Sequence, residues 1–163
     1  MASHEYAFVS RWHIPATPVE AAAILSDAAA LPRWWSAVYL AVEPESSAGN
    51  PAGGAWRVHS RGWLPYTLRW SFERTHEDLP RAFGLRAWGD LNGTGEWEFH
   101  AAPGGGTEAS FVWRVRADKP LLRYLSWLFK PIFSANHRWA MAQGELAIAH
   151  EAARRRLLQS VRG

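Results

Sequence analysis

The amino-acid sequence predicts an α+β protein with one seven-stranded antiparallel sheet and a long C-terminal helix. Alternation of apolar and polar residues marks one strand near the N-terminus and, after two helical segments, six more strands separated by short turns. The C-terminal part instead carries apolar residues at helical spacing. The length of 163 residues, 48% of them hydrophobic, suits one soluble domain, which we assign to residues 1–163.

The first strand and the two helices after it have clear local signals. Aromatic and aliphatic side chains alternate with polar ones over residues 6–14, which predicts a strand. Thr17, Pro18 and Glu20 have the spacing of a helix cap, a first-turn proline and the third residue of a capping box. A helix is therefore predicted over residues 19–30, and a second short helix is predicted at residues 31–35.

The six later strands are bounded by turn signals rich in glycine, proline and aspartate. They are predicted at residues 38–42, 55–61, 66–76, 82–88, 95–101 and 107–117. Loops or turns are predicted at residues 49–54, 78–80, 90–93 and 103–106. Short connections make neighbouring strands antiparallel, and a sheet of this size is expected to curl. Pro120 is predicted to open the last helix, which reaches about Gln159 and is kinked or restarted at Pro131.

Tryptophan and arginine are neighbours at several places in the strands, as in Arg69-Trp70 and Trp113-Arg114. Basic residues interleaved with aromatic ones occur in proteins that bind single-stranded nucleic acid. Neighbours on a strand, however, point to opposite faces of the sheet, so the rings face inward and the arginines outward. No nucleic-acid partner is therefore expected. The predicted inward face carries Tyr66, Leu68, Trp70, Phe72, Phe83, Leu85, Trp97, Phe99, Phe111 and Trp113.

The chain contains eleven tryptophans, more than a core of this size readily absorbs. Two interpretations are consistent with this number: the rings fill the core, or some of them line a cavity and contact a ligand. Gly93 and Gly95 also have two possible interpretations. They either remove side chains where the backbone approaches a ligand or serve as turn and bulge residues, and we favour the second interpretation.

Several kinds of site are excluded by what the sequence lacks. The absence of cysteine excludes disulfides, zinc–thiolate sites, iron–sulfur clusters and a cysteine nucleophile. The seven histidines lack the spacing of metal-binding motifs, and no phosphate-binding or serine-nucleophile motif occurs. We therefore expect neither a metal nor a cofactor. The N-terminal residues carry charge and do not resemble a secretory signal, which favours a cytoplasmic location.

The last helix carries an unusual apolar stripe. Helical spacing places Phe129, Phe133, His137, Met141 and Gly144 on one face. Methionine adapts to irregular shapes, and a helical glycine costs about 1 kcal/mol relative to alanine, which indicates a packing or functional reason. His137 is the polar group on this stripe. It either hydrogen-bonds a ligand or transfers a proton, or it is a buried structural histidine, which is the commoner case.

Two charged segments near the C-terminus each have two interpretations. Residues 121–133 mix Tyr, Trp, Arg and Lys with leucines, a composition that suits a membrane surface. It equally suits a helix start that closes over a cavity, which we favour. Residues 154–156 are three arginines that either attract an anionic partner or form the solvated end of the last helix. We favour the solvated end, where positive charge suits the helix dipole.

The element order β-α-α-β6-α is combined with a series of motifs in the same order. They are Pro32–Trp35, Leu64–Tyr66, Gly89–Gly95 with Trp97, Gly106-Thr107, Trp113, Val115, Lys119-Pro120, Pro131–Phe133, Asn136-His137, Met141 and Gly144. Together these features resemble the helix-grip fold of the START and birch-pollen-allergen superfamily, also called SRPBCC. The similarity is greatest to its bacterial polyketide cyclase/dehydrase-like branch, and it covers nearly the whole chain.

The resemblance implies a cavity between the C-terminal helix and the curled sheet. Members of the superfamily bind lipids, sterols, polyketides or quinones there, and a minority catalyse cyclisation or dehydration. The ligand-binding residues implied here are Trp35, Tyr66, Trp70, Trp97, Trp113, Phe129, Phe133, His137 and Met141. Binding of a hydrophobic or aromatic small molecule is favoured because the sequence offers few convergent polar groups. The alternative is a polyketide cyclase or dehydratase that uses His137 as acid or base, and whether the protein is an enzyme stays open at this stage.

Overall fold

The computed structural model describes residues 5–45, 54–117 and 126–163, and it confirms the predicted order of elements. The strands are β1 (Glu5–Ile14), β2 (Tyr39–Pro44), β3 (Trp56–Arg61), β4 (Thr67–Asp78), β5 (Ala82–Gly89), β6 (Leu91–Ala101) and β7 (Thr107–Ala117). The helices are α1 (Pro18–Ser26), a 3₁₀ turn at Ala28–Ala30, α2 (Leu31–Trp34) and α3 (Ser126–Arg162). The protein is therefore an α+β protein with the helix-grip architecture.

All seven strands form one antiparallel sheet in the order β1-β7-β6-β5-β4-β3-β2. From β2 to β7 each strand pairs with its neighbour in the sequence, while β1 pairs with β7 at the far edge. The connection through α1 and α2 therefore carries the chain from one edge of the sheet to the other. Because the sheet curls, α3 lies across its concave face and packs against β1, α1 and α2.

The start of α1 confirms the predicted capping box. The Thr17 hydroxyl accepts a hydrogen bond from the Glu20 backbone N–H at 3.2 Å, and the Glu20 carboxylate accepts one from the Thr17 N–H at 3.0 Å. Two of the N–H groups that a helix start leaves unpaired are satisfied in this way. The helix bends into the 3₁₀ turn after Ser26, so the predicted continuous helix over residues 19–30 is in fact two pieces.

The predicted turn at residues 90–93 is wrong. Strand β6 already begins at Leu91, and Gly93 pairs with Val115 inside the ladder. Gly89 has a φ of +113°, which favours glycine, so the chain reverses one or two residues earlier than predicted. A Cβ on Gly93 would lie 1.9 Å from the backbone oxygen of Arg114, which is why a glycine stands inside this strand.

Helix α3 passes through Pro131 as one element, so the predicted restart at that residue is not observed. The predicted helix start at Pro120 and most of the predicted loop at 49–54 lie outside the described residues. No helix in the described part of the chain is long and apolar enough to cross a membrane.

The arginines near the end of α3 bind carboxylates of the same chain. The Glu151 carboxylate, with 2% of its side chain exposed, accepts hydrogen bonds from Arg33 of α2 at 2.6 and 2.8 Å and from Arg154 and Arg155 at 2.8–3.2 Å. Burial alone would raise the pKa of Glu151, but these hydrogen bonds outweigh burial and hold its pKa far below the usual range. Arg156 pairs with Glu20 of α1 at 2.8 Å. The cluster therefore joins α3 to both N-terminal helices.

Candidate functional site

A cavity of about 190 Å³ lies between α3 and the concave face of the sheet. Its wall is largely apolar, and this volume is many times what one water needs. It is below the ~300–1,000 Å³ usual for ligand pockets, so this conformation has room for a small ligand. Eight of the residues predicted to bind a ligand line it: Trp35, Tyr66, Trp70, Trp97, Trp113, Phe133, His137 and Met141. The side chain of the ninth, Phe129, lies outside the described residues.

The sheet side of the cavity is a layer of stacked rings. Trp97 and Phe111 face each other across β6 and β7 with ring centroids 4.6 Å apart, and Phe111 stacks on Trp113 at 5.7 Å. Such aromatic pairs contribute about 0.5–1.5 kcal/mol beyond the area that they bury. The rings thus form core and cavity wall together. Some tryptophans therefore fill the core and some line a cavity, while their contact with a ligand stays a prediction.

Gly95 makes room for this layer of rings. A Cβ at this position would lie 2.9 Å from the Phe111 ring and 3.0 Å from the Trp113 ring. The residue lies within β6, and in the register it pairs with Leu85 on one side and with Trp113 on the other. Its role is therefore to admit aromatic rings over the strand, which differs from both of the predicted roles.

Gly144 and Trp35 explain why a glycine lies on the buried face of α3. The Trp35 indole N–H donates to the backbone oxygen of Ala140 at 3.1 Å, which anchors the ring to the helix. A Cβ on Gly144 would lie 2.5 Å from the Trp35 ring and 2.7 Å from the Trp12 ring. Trp12 and Trp35 are 2% and 4% exposed, so neither ring can move aside freely. The glycine therefore serves close packing at the inner end of the stripe.

The substitution Gly144→Ala is expected to destabilise the protein by about 1–2 kcal/mol. Overpacking a core costs about 1–3 kcal/mol, and the better helix propensity of alanine offsets up to about 1 kcal/mol of it. Chemical denaturation measures the loss. The control Ala142→Gly, on the exposed face of the same helix, isolates the propensity effect. A Gly144→Ala variant more stable than the wild type would contradict this packing.

His137 lies on the α3 side of the cavity as a neutral imidazole. Its Nε2 is 3.3 Å from the Ser10 hydroxyl, and its ring stacks on Phe8 with centroids 4.2 Å apart. Burial, and secondarily the positive charge of Arg138, lowers the pKa of His137 to about 4. The ring therefore carries no charge at neutral pH. The contact with Ser10 agrees with the structural interpretation of this histidine, and the position on the cavity wall agrees with the functional one.

Two tyrosines lie near His137 on the cavity wall. Tyr6 contacts Phe133 with ring centroids 5.5 Å apart, and Tyr66 contacts the same ring at 6.4 Å. Burial raises the pKa of both phenols, and for Tyr66 the nearby Tyr6 adds to the shift. Both are therefore neutral. The Tyr6 hydroxyl is buried and has no hydrogen-bond partner among the described residues. A buried hydroxyl without a partner costs about 1–3 kcal/mol, so a ligand that bonded to it would gain that much.

The loop between β3 and β4 is tied to α3 beside these polar groups. The Asn136 side-chain oxygen accepts a hydrogen bond from the Trp63 backbone N–H at 2.9 Å. Gly62 permits this contact, because a Cβ there would overlap the Asn136 amide. The amide thus closes the cavity wall between loop and helix. This contact gives Asn136, which lies beside His137, a structural role in holding the loop.

Arg74 is a charged residue of the cavity wall that was not among the predicted site residues. It extends the inward series of Trp70 and Phe72 on β4 by one more step of two, so the strand period would have identified it. Its guanidinium lies over the Phe83 ring at 4.4 Å and donates to the Ser26 backbone oxygen at 3.0 Å and to Glu77 at 2.8 Å. Its Nε is buried without a partner among the described residues, and burial lowers its pKa.

The carboxylates considered in the sequence analysis lie away from the cavity. Glu96 pairs with His76 at 2.8 Å on the outer face of the sheet, as its position beside Trp97 predicts. Asp90 accepts a hydrogen bond from the Arg69 backbone N–H at 2.9 Å. None of the described cavity residues is Asp or Glu, and no group of three or more His, Asp or Glu side chains in the described ranges could hold a metal ion.

Comparison with known proteins agrees with this architecture. The sequence profile of a family described as "Polyketide cyclase / dehydrase and lipid transport" matches residues 7–148, which include strands β2 to β7, most of β1 and most of α3. No curated protein sequence matches the chain.

Three solved structures illustrate the similarity of fold. The Zhui aromatase/cyclase from Streptomyces sp. R1128 superposes with a TM-score of 0.72 and 15% identity, over 93% of this chain and 96% of that one. A protein from Thermus thermophilus superposes with a TM-score of 0.69 and 18% identity, over 90% of this chain and 99% of that one. The di-domain ARO/CYC BexL from the BE-7585A biosynthetic pathway superposes with a TM-score of 0.65 and 15% identity, over 90% of this chain and 50% of that one. At these identities the similarity shows the fold alone.

Proposed function

Since the chain belongs to the polyketide cyclase/dehydrase and lipid transport family, we propose that it binds a hydrophobic, ring-containing small molecule between α3 and the sheet. The observation that carries this proposal is the ring-lined cavity with a few neutral polar groups at its α3 side. Such a combination of apolar wall and sparse polar contacts is typical of small-molecule sites. The ligand class that suits it is a polyketide-like, quinone-like or lipid molecule with a carbonyl or hydroxyl group.

The polar groups favour binding over catalysis. A neutral imidazole and a neutral phenol can donate to or accept from a ligand oxygen without the cost of burying a charge. Acid–base catalysis works best when the pKa of the catalytic group lies near the working pH, and burial moves that of His137 to about 4. Among the described cavity residues no carboxylate is available to reverse this shift.

Ligand binding is tested with two bicyclic probes, menadione and naphthalene, by isothermal titration calorimetry. Wild-type protein is expected to bind both, because each buries apolar rings against the aromatic wall. Ala140→Leu adds a larger side chain on the cavity wall and is expected to abolish binding. The same change at the exposed Ala142 is the control and should leave binding intact. Equal binding by the wild type and Ala140→Leu would place the probes elsewhere and overturn the proposal.

Whether His137 forms a hydrogen bond to the ligand or only packs against it is tested by measuring the affinity of His137→Phe for the same two probes. Phenylalanine keeps a ring against Phe8 but removes the hydrogen-bonding nitrogens. Menadione is expected to bind about tenfold more weakly to this variant, since a buried hydrogen bond contributes about 1 kcal/mol or more. Naphthalene has no polar atom and should bind equally to both proteins. Equal losses for both probes would mean that the histidine acts only through packing.

The second candidate function is a cyclase or dehydratase in which His137 acts as acid or base. It is favoured by the presence of three different polar side chains in one cavity, from His137, Tyr6 and Arg74. In this reaction class the neutral imidazole takes a proton from the carbon next to a carbonyl, and a hydrogen-bond donor holds the resulting enolate oxygen. Two of the structural relatives are named as aromatase/cyclase or ARO/CYC proteins.

Proton abstraction is tested with 1-indanone in deuterated water. If His137 acts as the base, wild-type protein should accelerate deuterium exchange at the carbon next to the carbonyl, followed by proton NMR. His137→Phe should reduce exchange to the rate without protein. A wild-type protein that binds 1-indanone but leaves its exchange rate unchanged would exclude this step and leave the binding function.

A further inference from the structure

A second concave site lies on the outer face of the sheet, opposite the ring-lined cavity. It is a groove of about 450 Å³ across β2, β3, β4 and β5. Most of its lining residues occupy outward positions of these strands, such as Glu43, Arg57 and Trp88, and the inward residues Val58 and Trp70 also border it. The groove is thus separated from the proposed ligand cavity by the thickness of the sheet.

The strand register arranges the groove as a row. Glu43, Arg57, Ser71 and Trp88 are successive cross-strand partners on β2, β3, β4 and β5. Since neighbouring strands lie about 4.8 Å apart, Arg57 and Trp88 are separated by about 10 Å. Ser71, with a short side chain that is itself buried, lies between them.

Two arginines in this groove have no side-chain partner among the described residues. No ion pair or side-chain hydrogen bond within the described residues involves the guanidinium groups of Arg57 and Arg69. Arg86, another arginine of the outer face, is by contrast paired with Glu73 at 2.6 Å. With Glu43 as the one carboxylate of the lining, the groove has two positive charges and one negative charge, a net charge of +1. Free guanidinium forks are suited to bind an oxyanion through paired hydrogen bonds.

His59 adds an independent sign of a missing partner. It lies on β3 directly opposite Arg69, and its Nε2 is buried without a hydrogen-bond partner among the described residues. Native proteins pair the large majority of buried polar side-chain atoms, so an unpaired nitrogen in the lining of a groove points to a ligand or water. On the other side of Ser71, the half-buried Trp88 offers an aromatic surface, with the Arg86 guanidinium 5.4 Å from its ring.

We infer that this groove is a binding site for a small molecule that carries a phosphate-type oxyanion on a flat ring. The oxyanion lies between Arg57 and Arg69 beside His59, and the ring lies over Ser71 against Trp88. This site is independent of the cavity proposed above, because the two lie on opposite faces of the sheet.

The test uses phenyl phosphate as the probe, titrated into ¹⁵N-labelled protein and followed by two-dimensional NMR. We expect saturable shifts at the backbone amides of Arg57 and Arg69 and at the Trp88 indole N–H. Inorganic phosphate should bind more weakly because it lacks the ring, and benzyl alcohol should not bind because it lacks the charge. Binding should weaken as salt is added, since both arginines are exposed.

Substitutions identify the residues that bind phenyl phosphate. The double change Arg57→Gln and Arg69→Gln should weaken phenyl phosphate binding at least tenfold, and Glu43→Gln should strengthen it severalfold by removing the opposing charge. Arg114→Gln, an outward arginine on β7, is the matched control and should have no effect. Ala140→Leu, which blocks the cavity, should also leave this binding unchanged.

Three results would overturn the inference. They are shifts that do not saturate, shifts that appear at His137 and Tyr6 instead, and affinity that survives the double arginine change. Equal affinities for inorganic phosphate and phenyl phosphate would contradict the part of the inference that concerns the ring, because the site would then bind the anion alone. If the double variant does not fold, Glu43→Gln alone still decides the matter, because unchanged affinity there contradicts an oxyanion beside Arg57.

Discussion

Glu151→Ala is expected to lower the free energy of unfolding by about 3 kcal/mol. Removing one partner of a buried ion pair costs about 3–5 kcal/mol. The lower end applies here because Arg33 and Arg154, which are about half exposed, can bind water once the carboxylate is gone. The loss also separates α3 from α2, since the Arg33–Glu151 pair joins them through two hydrogen bonds. Urea denaturation followed by circular dichroism measures the change.

The control for Glu151→Ala is Glu73→Ala on the outer face of the sheet. Glu73 also accepts two hydrogen bonds from one arginine, Arg86, but both side chains of this pair are more than a third exposed. Exposed pairs contribute about 0–1 kcal/mol, so this variant should be close to the wild type. Equal losses in the two variants would mean that burial does not distinguish the two sites.

Lowering the pH from about 6.5 to about 4 is expected to remove about 3 kcal/mol of stability through His137. Burial lowers its pKa from 6.5 to about 4 in the folded protein. Between these values the unfolded chain binds a proton at His137 that the folded protein does not, so stability falls as pH falls. Each pKa unit corresponds to about 1.36 kcal/mol, and below about pH 4 this contribution falls no further.

The pH effect of His137 is measured as a difference between wild type and His137→Phe. Urea unfolding at pH 7 and at pH 4.5 gives the stability of both proteins, and the advantage of the wild type should shrink towards pH 4.5. The other six histidines are common to both proteins and cancel. NMR titration of the His137 Cε1–H, assigned by its absence in the variant, provides a direct check. A midpoint near pH 6.5 would contradict the buried, neutral ring.

The order of elements and the direction of most side chains follow from the sequence alone. Alternation along β4 placed Trp70 inward and Arg69 outward, because a strand leaves a side chain only two faces to choose between. The same argument put Glu96 outside the cavity. Local chemistry was also sufficient at the start of α1, since a capping box needs only Thr17 and Glu20 three residues apart.

Contacts between distant segments required the folded molecule. The sequence marks Gly144 as unusual for a helix, but only the position of Trp35 against α3 explains it. Arg74 follows the inward period of β4, but only the folded molecule shows that the Ser26 backbone oxygen and the Glu77 carboxylate bind its guanidinium. In the same way, three adjacent arginines at the end of a helix suggested a solvated surface, while their partner Glu151 and its contact with Arg33 become visible only after folding.

The cavity, like these contacts, could be identified only in the folded molecule. Periodicity decides which face of a strand or helix a ring occupies, and it therefore identified in advance most of the aromatic rings in the described wall. Whether facing rings meet or leave a space depends on the curl of the sheet and on the distance between α3 and the strands. Those quantities result from many packing contacts summed over the whole molecule, and no local pattern of residues encodes them.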